Sequence, residues 1–275
     1  MENCLIAQKQ SHIKENDLHR LIQVAKKAAQ SGGEILMKHY GNLNNIKNKA
    51  TRGDLVTEAD LESEYNIVNY LEKQTQDITI LAEESGIKGA EKDLCWCIDP
   101  LDGTTNYAHG FPLFATAVGL TWNDIPILGA ISVPFLNELY WGAPGIGAFC
   151  NKKPIKVSTS KVLLDSLLVT GFAYDRTKVK DNNYAEFCWL THRTRGVRRG
   201  GAAAVDLAFV AAGRIDGYWE RGLSKWDMAA GVPIVELAGG VVTNYPNGNF
   251  ELNNGRIFAS TPGIEEELKN ELKKV

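Results

Sequence analysis

Residues 98–106 read Ile98-Asp99-Pro100-Leu101-Asp102-Gly103-Thr104-Thr105-Asn106 and follow directly on the apolar run Leu94-Cys95-Trp96-Cys97. That order predicts a buried strand ending in a loop that carries two carboxylates three residues apart. Left bare, Asp99 and Asp102 would repel each other and be costly to desolvate, so a cation is expected between them. Hard divalent cations take oxygen ligands, and Mg²⁺ typically binds one or two carboxylates per ion while keeping several waters. Pro100 fixes the backbone between the two aspartates, which lets the Leu101 carbonyl turn inward as a further hard ligand. Gly103 allows close backbone approach to a ligand, and Thr104 with Thr105 starts a short helix whose unpaired N–H groups face an anion. The Thr104 hydroxyl is placed to position a water. The stretch therefore specifies a pocket for metal and phosphate that needs no basic patch.

Two further acids join this pair. Glu83 in Leu-Ala-Glu-Glu-Ser-Gly ends another apolar run, and Asp227 in Lys-Trp-Asp-Met-Ala-Ala-Gly stands at a predicted helix start. Strand ends and helix starts are where loops converge, so four carboxylates there suit two or three Mg²⁺ ions with shared bridges. Taken singly, each of these residues also serves as an ordinary turn former or helix cap. Glu84 reads as a solvated residue or one lying behind the ligands, and His109 in Ala-His-Gly-Phe-Pro as an exposed loop histidine.

Outward from the site, apolar or small residues at Leu18, Leu21, Ile22, Ala25, Ala29, Ile35 and Leu36 predict an amphipathic helix from Asp17 to about Tyr40. Thr57-Glu58-Ala59-Asp60 reads as a capping box opening a second helix to about Lys73. The polar Lys47–Asp54 stretch between them reads as an exposed, mobile loop. Short β-rich runs then follow to about residue 160, with a hairpin at 138–150, and suggest a mainly antiparallel sheet. From about Ser166 strands alternate with helices, the pattern of layered α/β packing in which helices cover sheet faces. No repeat or linker separates the halves.

Composition narrows the class. The 275 residues are 44% hydrophobic, ample for a core, and carry 30 basic against 33 acidic residues, a formal charge of -3. That balance argues against a broad footprint for nucleic acid or anionic membrane. Five scattered cysteines predict no disulfide framework and a reducing, cytoplasmic setting, with Cys95 and Cys97 on one strand face in a buried structural role. The N-terminal stretch shows no signal or transit pattern, and no apolar run reaches membrane-spanning length.

The blocks Ala-Glu-Glu-Ser, Trp-Cys-Ile-Asp-Pro-Leu-Asp-Gly-Thr-Thr-Asn-Tyr, Gly-Ala-Ala-Ala-Val-Asp-Leu-Ala-Phe-Val-Ala-Ala-Gly-Arg-Ile-Asp-Gly-Tyr-Trp-Glu and Trp-Asp-Met-Ala-Ala-Gly, in that order, resemble the inositol monophosphatase family of Mg²⁺-dependent, lithium-sensitive sugar-phosphate phosphatases. The resemblance runs from about residue 17 to the C-terminus. It implies one α/β (α+β) domain over 1–275, a layered αβαβα sandwich with an α+β half over about 17–160 and an α/β half over about 161–275. It implies a homodimer with two or three Mg²⁺ per subunit, which hydrolyses a small phosphate monoester by in-line attack of a metal-activated water. Glu83, Asp99, the Leu101 carbonyl and Thr104 match the positions that hold one metal or orient its water; Asp99, Asp102 and Asp227 match those of a second. Gly103 and Thr104 match the phosphate-binding backbone, and Glu220 the reader of a substrate hydroxyl. Asp54 matches a residue that, with Thr57, steers the mobile loop and a third, weaker metal. The family usually carries Ser or Thr where this chain has Ala202, which removes a substrate-facing hydroxyl and bears on discrimination. The absence of recognisable insertions favours a monophosphate, with myo-inositol 1-phosphate as the expected substrate. Fructose 1,6-bisphosphate, histidinol phosphate and a 3′-phosphonucleotide are the rivals within the same chemistry. A regulatory or binding protein on the same fold is the rival from another class, and its signature would be a broken carboxylate set.

Overall fold

In the computed structural model, which describes residues 3–43, 46–49, 55–90 and 92–275, the chain opens with helices α1 (Asn3–Gln10) and α2 (Glu15–His39). Strands β1 (Ile46–Asn48) and β2 (Leu55–Thr57) pair antiparallel, so the stretch read as loop starts in a short ladder; Asp54 lies outside the described residues. Helix α3 (Glu58–Gln74) follows. Next come β3 (Thr79–Ala82), β4 (Gly86–Lys88), β5 (Leu94–Asp102), α4 (Thr104–Ala108), β6 (Ala115–Trp122), β7 (Ile125–Val133), β8 (Glu138–Ala143), β9 (Gly147–Cys150) and β10 (Lys153–Pro154). The second half holds β11 (Leu167–Thr170), α5 (Tyr184–Thr191), β12 (Gly196–Arg199), α6 (Ala203–Ala211), β13 (Gly217–Arg221), α7 (Lys225–Ala229), α8 (Gly231–Leu237), β14 (Val241–Thr243), β15 (Arg256–Ser260) and α9 (Glu265–Leu272).

Two sheets result. The first runs β10-β9-β8-β7-β6-β5-β3-β4, antiparallel except where β3 and β5 run parallel. The second runs β12-β11-β13-β15-β14, with β11 parallel to both neighbours. Helices α2 and α3 cover one face of the first sheet through Leu21, Ile22, Ile67 and Leu71, which pack with Trp96, Val118 and Leu128. Its other face meets α6 and α8, whose Val205, Leu207 and Val232 share a core with Ile131, Tyr218 and Ile257 of the two sheets. Helices α5 and α9 close the far face of the second sheet around Leu190, Trp219, Phe258 and Leu268. The layers are thus αβαβα, each helix burying its apolar stripe on a sheet.

Local chemistry explains the boundaries that aim the site. α3 begins as the capping box requires: Thr57 Oγ1 accepts from the Ala59 N–H, and Asp60 Oδ2 accepts from the Thr57 N–H at 2.8 Å. The predicted helix through Asp227-Met-Ala-Ala-Gly breaks into α7 and α8 at Ala230. The break lies flat on the first sheet, because a Cβ on Gly129 would stand 2.1 Å from the Ala230 carbonyl oxygen and one on Gly119 2.5 Å from Ala229. Small residues on both sides let backbone touch backbone, and that contact carries Asp227 to the end of β5.

Candidate active site

A regular strand sends residues i and i+3 to opposite faces. Asp99 and Asp102 nevertheless line the same cleft, because β5 is irregular between them: Asp99 pairs with Ala117 but Asp102 with Ala115. The extra residue is a bulge at Pro100-Leu101, and bulges re-aim side chains in this way. The Pro100 carbonyl accepts from Ser63 Oγ at 3.1 Å and Thr116 Oγ1 at 3.0 Å. The chain then turns at Gly103, whose φ of 85° would strain any side chain and where an added Cβ would stand 3.1 Å from the Ala202 methyl, and α4 starts at Thr104.

The cleft holds about 310 Å³ and lies between the two sheets. Glu83, Asp99, Leu101, Asp102, Gly103, Thr104, Ala202, Glu220 and Asp227 all line it, so of the expected site residues that are described every one except Thr57 meets there. Among the described residues no three His, Cys, Asp or Glu side chains already close around one point as a finished coordination shell. The acids instead face a shared opening, to which they present hard oxygens. Thr57 sits behind, buried, and is tied to the site through its hydroxyl bond to Asp60.

Asp99, Asp102 and Asp227 each have a second, structural duty. Asp99 Oδ1 accepts from the Leu101 N–H at 3.0 Å, which holds the bulge. Asp102 accepts from the Ala203 and Ala204 N–H groups at 3.0 and 2.8 Å. It thereby caps α6, whose own N-cap residue Ala202 has no side-chain oxygen to do so. Asp227 is the third residue of a capping box with Ser224 and accepts its N–H at 2.6 Å. The Ala202 methyl lies against Gly103, so the residue expected near the substrate also tightens the Gly103 turn.

Burial and mutual repulsion dominate the electrostatics. Asp99 and Asp227 are held well above the usual carboxylate range, first by burial and then by the neighbouring charges, Glu83 and Asp102 among them. Asp102 is pushed up to about 7 by burial, against the pull of the α6 amides. Glu220, whose Oε2 accepts from the Tyr218 hydroxyl at 2.7 Å, is pushed to about 7 by burial as well, with that bond and the charge of Arg199 acting in the other direction. Four acids that resist ionisation side by side constitute a site short of positive charge, and the residues present fit divalent hard cations.

Three features were not visible in the residue pattern. Asp60, read only as a helix cap, is the acid that reaches Thr104: the Thr104 hydroxyl lies 3.3 Å from Asp60 Oδ1 and 3.0 Å from the Leu101 carbonyl. Burial raises Asp60 to about 7, with the charges of Glu83 and Glu84 adding to it and the Thr57 bonds opposing. Lys49 crosses to Glu83 at 2.7 Å and to Glu84 at 2.5 Å. Burial disfavours its charge, but the two carboxylates outweigh that and hold the ammonium above its ordinary pKa. Glu84 is therefore half-buried and ion-paired rather than solvated. Asp206, fully buried on α6, is held well above the carboxylate range by burial and then by Glu220. The capping acid two residues inside a helix was the one legible hint of Asp60; nothing local marked the other two. His109 is exposed, as expected.

Comparison with known proteins follows this geometry. The family model described as the inositol monophosphatase family matches residues 17–274. A protein of Synechocystis sp. named inositol-1-monophosphatase is 49% identical over 258 residues, covering 94% of this chain and 90% of that one. A protein of Aquifex aeolicus named fructose-1,6-bisphosphatase/inositol-1-monophosphatase is 40% identical over 230 residues, covering 82% of this chain and 86% of its own. The solved structure of inositol monophosphatase from Anabaena (Nostoc) sp. superposes with a TM-score of 0.87 at 47% identity, covering 94% of this chain and 97% of that one. With the family match spanning nearly the whole chain and the layered fold shared, the chain belongs to the inositol monophosphatase family, whose members are metal-dependent phosphatases.

Proposed function

We propose that this protein hydrolyses a small phosphate monoester, myo-inositol 1-phosphate first, using two or three Mg²⁺ held by Glu83, Asp99, Asp102, Asp227 and the Leu101 carbonyl. The observation that carries the reading is the convergence of these oxygens with the Gly103 turn and Glu220 on one cleft. When bound, the ions would supply Lewis-acid stabilisation of the phosphoryl oxygens and of the leaving alkoxide, and would acidify the attacking water.

The chain's own residues divide the remaining work. The Thr104 hydroxyl donates toward Leu101 or Asp60, so its lone pairs point into the cleft and accept from a water, which fixes that water's orientation. Asp60, at about 7, is matched to taking a proton through Thr104 near neutral pH. The Gly103 and Thr104 amides face the phosphoryl oxygens, where negative charge is spread in the transition state. Glu220, fixed by Tyr218, accepts from a hydroxyl of the alcohol portion on the opposite side of the cleft. No side chain is needed as a nucleophile, and the water displaces the alkoxide directly.

A bisphosphate such as fructose 1,6-bisphosphate is the second reading. Arg199 lines the same cleft and could meet a second phosphate, and the Aquifex aeolicus relative carries both activities in its name. A panel at fixed Mg²⁺, comparing kcat/KM for inositol 1-phosphate, fructose 1,6-bisphosphate, histidinol phosphate and a 3′-phosphonucleotide, separates the two. The first reading expects inositol 1-phosphate to lead; a lead of about tenfold or more for the bisphosphate would replace it.

A further inference from the structure

β13 and β15 are antiparallel neighbours, and their register sets Arg221 directly opposite Arg256. Like charges facing each other across a ladder are destabilising. The counter-charges come from one segment. Asp175 Oδ1 lies 3.1 Å from Arg221 Nη2, Asp181 Oδ1 lies 3.6 Å from Arg221 Nε, and Asp181 also binds Arg256. Arg221 is buried, whereas Asp175 and Asp181 are about half exposed.

The segment that carries these aspartates is part of the cleft. It leaves β11 through Phe172, Ala173 and Tyr174, all of which line the cavity beside Glu220. It returns at Asn183, which is buried, accepts from Trp219 Nε1 at 2.6 Å and donates to Thr170 Oγ1 at 2.7 Å. Its return end is therefore fastened by short bonds to the second sheet, and ion pairs to Arg221 and Arg256 tie its middle to β13 and β15. Arg221 directly follows Glu220, so the hydroxyl reader and the anchor of the facing wall are consecutive residues of one strand.

We propose that residues 173–183 form an electrostatically latched wall on the alcohol side of the cleft, and that Arg221 is a positioning residue that sets discrimination between alcohol groups. The substrate arm of this inference rests on the phosphatase reading above. With the latch closed, Ala173 and Tyr174 press the alcohol portion toward Glu220; with it open, the phosphate and metal end of the cleft is untouched and the alcohol end widens. Because the aspartates are exposed, added salt weakens the latch.

The test uses the full chain and the double variant Asp175→Asn/Asp181→Asn, with Arg221→Lys and Arg221→Met as companions. Trypsin sites inside the wall, Arg176, Lys178 and Lys180, report its opening. The latch predicts that the double variant loses about tenfold in kcat/KM for inositol 1-phosphate, mainly through KM, and less than about twofold for phenyl phosphate. It also predicts faster nicking at those sites, reproduced in the parent protein by roughly 0.5 M NaCl and not increased further in the double variant. Arg221→Lys should keep most of the protection that Arg221→Met loses. Equal losses on both substrates, or nicking that ignores salt and both aspartates, would overturn the proposal. If the parent protein hydrolyses phenyl phosphate but not inositol 1-phosphate, the substrate reading fails and the nicking arm alone decides the latch.

Discussion

Asp99 and Asp102 differ in what holds them although they share one bulge. Asp99 accepts from the Leu101 N–H and is otherwise faced by other acids, while Asp102 secures the first turn of α6. In metal-free protein Asp99→Asn keeps the acceptor and removes a buried acid that is costly to ionise among its neighbours, so it should raise Tm while reducing Mg²⁺-dependent activity by about 100-fold or more. Asp102→Asn loses part of a helix cap and should lower Tm, by a free energy of about 1 kcal/mol. Calorimetry in chelator, with activity in Mg²⁺, reads both; a lower Tm for Asp99→Asn would mean that the repulsion is not the governing term. Glu220 gives the pH test. Its folded pKa of about 7 exceeds the unfolded value, so between about pH 4 and 7 the native state binds more protons than the unfolded chain, and its contribution to stability is lost as pH rises through that window. Glu220→Gln removes this titration and should flatten the fall between pH 5 and 8 by up to on the order of 3 kcal/mol. Denaturant midpoints of the two proteins at both pH values give the difference, and identical slopes would contradict it.

At the scale of elements, the contact of the α7–α8 break with the first sheet fixes Asp227. Gly129→Ala would drive a methyl into the Ala230 carbonyl, so the helix pair must shift. The expected result is a loss of about 2 kcal/mol and a several-fold higher Mg²⁺ requirement. An unchanged Mg²⁺ titration would show that Asp227 is positioned by something else. Elements of this local kind were the legible ones. The strand and short helix at 94–108, the capping box at Thr57 and the amphipathic α2 all follow from residues within one or two turns of each other, whereas the loop expected to carry Asp99 and Asp102 is instead the bulged end of β5. What escaped depends on partners far away in sequence. α1 has little amphipathic signal and is fixed by Glu236, which accepts from the N–H groups of Asn3 and Cys4. β12 is Gly-Val-Arg-Arg, no strand by composition, and forms because β11 offers an edge. The cap that Asp102 gives α6 spans a hundred residues, and the bond between Thr104 and Asp60 joins two separate helix starts, so neither leaves a local pattern. Lys49 was hidden in a stretch that reads as loop.

In the whole molecule, α6 and α8 are shared property: Leu207 and Val232 pack in one core with residues of both sheets. The two halves should therefore unfold together, and coincident tryptophan fluorescence and far-UV transitions would be expected. Two separated transitions would instead mean that the cleft lies between independently stable halves. The same cleft lies between the sheets, so ions that bind its acids bind the folded state only and should raise Tm with concentration. The claim on which everything else depends is that these acids hold the ions that drive hydrolysis. The direct measurement is phosphate release from inositol 1-phosphate by chelator-treated protein across a Mg²⁺ titration, for the parent chain, Asp99→Asn and Glu84→Gln. No release without metal is expected, with full recovery on Mg²⁺ addition for the parent, near-full recovery for Glu84→Gln and almost none for Asp99→Asn. Full turnover in metal-free protein, or equal losses in the two folded variants, would contradict the account.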